Sequence, residues 1–145
     1  MTKLMLCWIG GADHAAARGA GAKAPGPIAR TVQDKRFGDL DAICLLNNYE
    51  DESAAKYKKW LTKKTRAKIT THNVTLSSPT DFGEVYRVSV DAVENVFKVY
   101  GKDTEIVLNV SPGTYVMSAI WVILAHTKYT AELIDVVEAS PEGGV

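Results

Sequence analysis

The sequence predicts an α/β domain, a mainly parallel β-sheet with helices on both faces. Three observations predict it. Apolar runs at Lys3–Ile9, Asp41–Asn47 and Thr104–Val110 are continuous rather than alternating, the pattern of strands buried on both sides. Segments with apolar residues at helical spacing stand between them. Hydrophobic residues make up 46% of the 145 and charged residues 23%, ordinary composition for one packed domain.

The first strand, Lys3–Ile9, closes at Gly10-Gly11. A loop rich in Gly and Ala is expected from Gly10 to about Pro27, then a helical stretch over Ile28–Phe37 with Ile28 and Val32 inward. Asp41–Asn47 forms the second strand. Residues 51–64 predict a helix whose Ala54, Tyr57 and Trp60-Leu61 make one apolar stripe among lysines. Ile69–Leu76 alternates, as an outer strand does. A long helix is expected from Asp81 to Tyr100, with Val85, Val88, Ala92, Val96 and Val99 inward and Gly101 as its C-cap. Ser78 or Thr80 can cap its start, and Glu84 stands where a capping-box acid would. After the strand Thr104–Val110, the apolar run 115–125 predicts a buried helix reaching His126, and Glu132–Val137 a last strand. Residues 1–138 form the domain; 139–145 are expected to be a linker or frayed tail.

Strands separated by helices give parallel pairing through right-handed crossovers. The architecture expected is therefore Rossmann-like and doubly wound. With strands two and three on one side of the first and four and five on the other, the order is 3-2-1-4-5. Ligands in such sheets bind outside the carboxyl ends, where the order reverses. That point lies between strands one and four, at the loops Gly10–His14 and Ser111–Thr114.

Composition excludes several classes. Lys plus Arg equals Asp plus Glu at 17 each, which argues against a general electrostatic grip on nucleic acid. No helix-turn-helix pattern supports direct DNA binding. The lysine-rich stretch Lys56–Lys68 reads as a solvated helix face. Cys7 and Cys44 lie inside strands and are expected as core thiols. His14, His72 and His126 lack ligand spacing, so neither a metal nor a cofactor is expected. The apolar segments are too short to span a bilayer and no signal-peptide pattern is present, so the chain is expected to be soluble and cytoplasmic.

Ser111-Pro112-Gly113-Thr114 joins a strand to an apolar helix. Gly lets backbone approach a ligand, and the hydroxyls stand beside unpaired N–H groups, which suits a phosphate. A plain helix cap would also explain these residues. The partner loop, Trp8 to His14, has no GxGxxG pattern, and the Ser111 loop is no Walker A, so a standard dinucleotide or ATP site is poorly supported. Asp13 and His14 have the chemistry for ligand binding or acid–base work, or serve as loop residues with no chemical role. The Ser77–Phe82 loop leaves the carboxyl end of a strand and can reach the pocket edge.

Three segments in order carry a resemblance: Leu6–Asp13, Leu76–Tyr86 and Ser111–Met117. Together they resemble the CARF (CRISPR-associated Rossmann fold) domain. The version they are most similar to is the sensor domain at the N-terminus of RtcR, the RNA-repair transcriptional activator, and of fused effectors in type III CRISPR antiviral defence. The chain departs from that pattern at Tyr115-Val116 and in an extended loop over residues 14–26. The resemblance implies a homodimer whose switch loops share one pocket for a symmetric cyclic oligoadenylate (tetra- or hexa-adenylate) or a related RNA fragment or end. It implies that Ser111, Gly113 and Thr114 hold phosphates. Gly10, Gly11, Ala12 and Asp13 would line the pocket floor and two-fold axis, and Ser78, Thr80 and Asp81 would meet base or ribose at the rim. It also implies a C-terminal effector that the domain controls.

The competing function is a metal-independent ring nuclease, in which the RNA 2′-hydroxyl attacks its own phosphodiester. Ser111, Thr114 and His14 are its candidates. The switch loops hold no Lys or Arg to stabilise the charge that develops, which favours a sensor.

Overall fold

The computed structural model describes residues 1–19 and 25–135. Five parallel strands form one sheet: β1 (Lys3–Trp8), β2 (Ala42–Asn47), β3 (Lys68–Asn73), β4 (Glu105–Asn109) and β5 (Ala131–Ile134). Their order is β3-β2-β1-β4-β5, so the sheet is doubly wound with its switch between β1 and β4, as expected. Leu6 of β1 is in register with Cys44 on one side and Leu108 on the other. Strand β3 lies at an edge, in keeping with its alternating sequence.

Successive β1 residues feed opposite layers, because strand side chains alternate in direction. Leu4, Leu6 and Trp8 pack with α4 (Phe82–Tyr100) and α5 (Tyr115–Thr127). Met5, Cys7 and Ile9 pack with α2 (Gly26–Gln33) and α3 (Asp51–Thr62). Helix α1 (Gly11–Arg18) lies against α2 and α3. Both cysteines are free and buried. On α3, Tyr57 and Leu61 are buried and Trp60 half-buried under the Lys64 ammonium, while Lys56, Lys58, Lys59 and Lys63 face solvent.

Several expectations need correction. The Gly/Ala stretch after β1 opens as a helix over Gly11–Arg18, not as a loop. Its buried residues are Asp13 and His14, so no apolar stripe announces it. The cap of α4 is Asp81, whose carboxylate accepts from Glu84 N at 3.0 Å, rather than Ser78 or Thr80. Val99, expected inward, is exposed, and Ser89 and Val93 take buried positions on α4. The apolar run 115–125 is not buried throughout, since Tyr115, Val122 and Ile123 are exposed. The expected end of the last strand at Val137 and the tail 139–145 lie outside the described residues. Among the described residues no helix is long and apolar enough to cross a membrane.

Candidate functional site

The carboxyl ends of β1 and β4 meet a cleft of about 320 Å³ lined by Ile9, Gly10, Gly11, Asn48, Tyr49, Pro79, Gly113, Thr114 and Met117. A larger open hollow, about 630 Å³, lies at the other end of the sheet beside Thr104–Ile106 and Thr130–Glu132. Size does not decide between them. In parallel sheets the strand carboxyl ends and the helix N-termini that follow them face the ligand, and only the smaller cleft has both.

Two glycines make the floor. A Cβ on Gly10 would stand 2.8 Å from the Gly113 nitrogen, closer than real Cβ atoms come to backbone. Gly113 has φ +90°, and a Cβ there would stand 2.7 Å from Met117 Sδ and 3.3 Å from Trp8 Cβ. The β1 and β4 loops thus touch backbone to backbone, leaving a surface free of side chains.

Helix α5 starts at the cleft. Thr114 is its N-cap, the hydroxyl accepting from Met117 N at 3.3 Å. The same hydroxyl donates to the Pro79 carbonyl at 2.8 Å, tying α5 to the loop before α4. The first-turn N–H groups of Tyr115 and Val116 lie beyond the reach of the helix's own carbonyl ladder. Their dipoles favour an anion at this end of the cleft.

The loop before α4 is braced from within. Glu84 accepts from Ser77 N at 3.0 Å, from Ser78 N at 3.1 Å and from the Ser77 hydroxyl. Those bonds, the Ser77 hydroxyl's first, hold the Glu84 carboxyl below its ordinary range. Ser78 and Thr80 share a hydroxyl contact at 3.1 Å and flank Pro79 at the rim. Asp81, next along, is engaged at the α4 N-terminus.

Of the ten residues the sequence singles out, Gly10, Gly11, Gly113 and Thr114 line the cleft. Ala12 is exposed on the first turn of α1. Asp13 is fully buried behind the floor, where its carboxylate accepts from Gly10 N at 2.9 Å and from Ile28 N at 3.1 Å. It holds the β1 loop and pins the start of α2 to it. Ser111 turns its hydroxyl to Asp135 at 3.1 Å and its N–H to Asn109 Oδ1 at 3.0 Å. Ser78, Thr80 and Asp81 surround the rim residue Pro79 without themselves lining the cleft.

Asn48, Tyr49, Pro79 and Met117 were not anticipated from sequence. Tyr49 is 48% exposed, and its ring meets His14 edge-on at 4.6 Å between centroids. Behind it Asn47, buried at the end of β2, accepts from Tyr49 N at 3.2 Å and donates to the Tyr49 carbonyl at 3.0 Å. Asn109 does the corresponding work at the end of β4, accepting from Ser111 N and donating to Thr31 Oγ1 at 3.0 Å. A buried amide at the carboxyl end of an apolar strand was the available signal. His14 is 4% exposed, and burial pushes its imidazole below the ordinary value. Among the described residues no three His, Cys, Asp or Glu side chains come together as a metal site.

No protein-family model matches the chain, and no curated protein sequence matches it. Solved structures do. Csm6 from Enterococcus italicus, bound to cyclic hexa-2'-fluoro-hexa-dAMP, matches with a TM-score of 0.75 at 16% identity, over 99% of this chain and 34% of its own. Can2 from Sulfobacillus thermosulfidooxidans, in complex with cyclic tetra-adenylate, matches with a TM-score of 0.60 at 15% identity, over 93% of this chain and 32% of its own. The chain therefore spans about a third of each of these structures, and what it shares with them is the fold.

Proposed function

We propose that this chain is a ligand-sensing CARF domain that binds a cyclic oligoadenylate in the cleft between β1 and β4. The observation that carries the proposal is the cleft's construction: a side-chain-free floor at Gly10 and Gly113 beside the N-terminus of α5. Backbone approach and unpaired N–H groups are what a phosphodiester needs. The fold shared with two proteins solved with cyclic oligonucleotides supports the same ligand class. The three sequence motifs support it independently, and the likeness to the RtcR sensor rests on those motifs alone.

In this reading two copies bring their clefts together around one symmetric ring, and ligand binding changes how the pair is held. The signal then passes to a C-terminal effector. Tyr115, exposed one residue past the cleft residue Thr114, and Val122 and Ile123, exposed further along α5, offer apolar surface for such a contact. Binding without turnover is favoured over ring cleavage, because among the described residues no Lys, Arg or His lines the cleft to stabilise a pentacovalent phosphate.

Calorimetric titration with cyclic tetra- and hexa-adenylate tests this reading. One ring bound per two chains supports it. Binding of neither ring sinks it and turns attention to RNA fragments with 2′,3′-cyclic phosphate ends. Linear products in the spent mixture would establish the nuclease instead.

A further inference from the structure

The cleft has one aromatic wall that no phosphate contact explains. Tyr49 stands two residues past β2, nearly half exposed on the cleft wall, and a Cβ on Gly11 would stand 3.5 Å from its phenol oxygen. An exposed ring is ordinarily free to swing. This one is held on two sides. Asn47 brackets its backbone through both its N–H and its carbonyl, and is itself fixed by donating to Asn73 Oδ1 at 3.1 Å. His14 meets the ring edge-on, and is in turn backed by Tyr57 at 5.8 Å between centroids. Such bracing lowers the entropy cost of using the ring as a contact surface. Beside it Asn48, half-buried on the cleft wall, makes no side-chain hydrogen bond among the described residues.

We propose that Tyr49 is a stacking platform for a nucleobase of the bound ring and that Asn48 reads the base edge. This rests on the cyclic oligoadenylate reading above and deepens it. A base has an apolar face and a polar edge, and the cleft offers one partner for each within a single loop. The Tyr49 ring takes the face, as aromatic side chains do for unpaired bases. The Asn48 amide, a donor and an acceptor side by side, matches the N6 amine and N7 of adenine. Stacking is indifferent to base identity, so Tyr49 supplies affinity. Selectivity for adenine falls to Asn48.

The test uses rings carrying one 2-aminopurine, whose fluorescence is quenched on stacking, together with all-adenine and all-inosine rings. The intact chain should quench the probe and prefer adenine over inosine. Tyr49→Phe should keep both properties. Tyr49→Ala and Tyr49→Leu should bind roughly 10- to 100-fold more weakly and lose the quenching. The Leu variant retains an apolar neighbour for His14, so loss of binding there is loss of the aromatic face. Asn48→Ala should bind the two rings alike. If the unaltered chain binds its ring and both Tyr49 variants bind and quench equally well, the platform is wrong and the sensor reading stands. Undiminished adenine preference in Asn48→Ala overturns the edge contact. If the unaltered chain binds no ring, the sensor reading fails and the platform with it.

Discussion

Gly10 and Gly113 meet backbone to backbone, so that a single methyl on Gly10 would fall 2.8 Å from the Gly113 nitrogen. This contact joins the β1 and β4 loops across the switch and sets the cleft floor. Two consequences differ in kind. Gly113→Ala places a side chain at φ +90° and against Met117, which should cost about 1–3 kcal/mol of stability, read by denaturant unfolding. Gly10→Ala should instead separate the loops, and ring binding should fall at least ~10-fold while the chain stays folded.

The Thr114 hydroxyl caps α5 and donates to Pro79. Thr114→Ala should lose about 1 kcal/mol from the cap. It should also release the rim loop, weakening ring binding more than the stability loss alone would. Thr114→Ser keeps the hydroxyl and should restore both. Equal affinity in the Ala and Ser variants would remove Thr114 from the site.

Asn47 is fully buried, and its amide serves Tyr49, Glu50 and Asn73. Asn47→Leu leaves the Tyr49 N–H without its acceptor and should destabilise the chain by roughly 1–3 kcal/mol. Loosening should appear first as faster amide hydrogen exchange in the loop after β2. Unchanged exchange there would mean that Tyr49 is held by His14 alone.

Acid should weaken the fold through His14. Burial, aided by the positive charge of Arg18 and opposed by the Asn47 amide, holds its folded-state pKa below the ordinary 6.5. The unfolded chain therefore takes up the proton more readily. This contribution is full above 6.5 and is lost as pH falls from there towards the depressed folded value. Melting curves between pH 7.5 and pH 5 should show a decline that His14→Phe reduces. An identical pH profile in the variant would show that other groups govern acid stability.

The sheet was legible because its central strands are unbroken apolar runs, and because helical segments between them leave few alternatives to a parallel doubly wound order. Helix α1 was not, since the residues it buries are Asp13 and His14 and its remainder is Gly, Ala and Arg18. The role of Asp13 depends on Ile28 N, fifteen positions away, and no local pattern carries that contact. For the cleft, the two switch loops followed from topology alone. Tyr49 and Asn48 were not legible in this way, because the switch point is defined by β1 and β4 alone. The loop after β2, the neighbouring strand, opens on the same end of the sheet and brings its aromatic ring to the same floor. The Ser111 hydroxyl suggests a ligand contact, and the fold gives it a partner that no local pattern announces, Asp135.

Native mass spectrometry of the chain mixed with cyclic tetra- or hexa-adenylate reads directly whether two chains share one ring. A species with the mass of two chains plus one intact ring is expected, absent when Gly10→Ala replaces the unaltered chain. Only free chain and free ring, at concentrations where calorimetry should saturate, would contradict it.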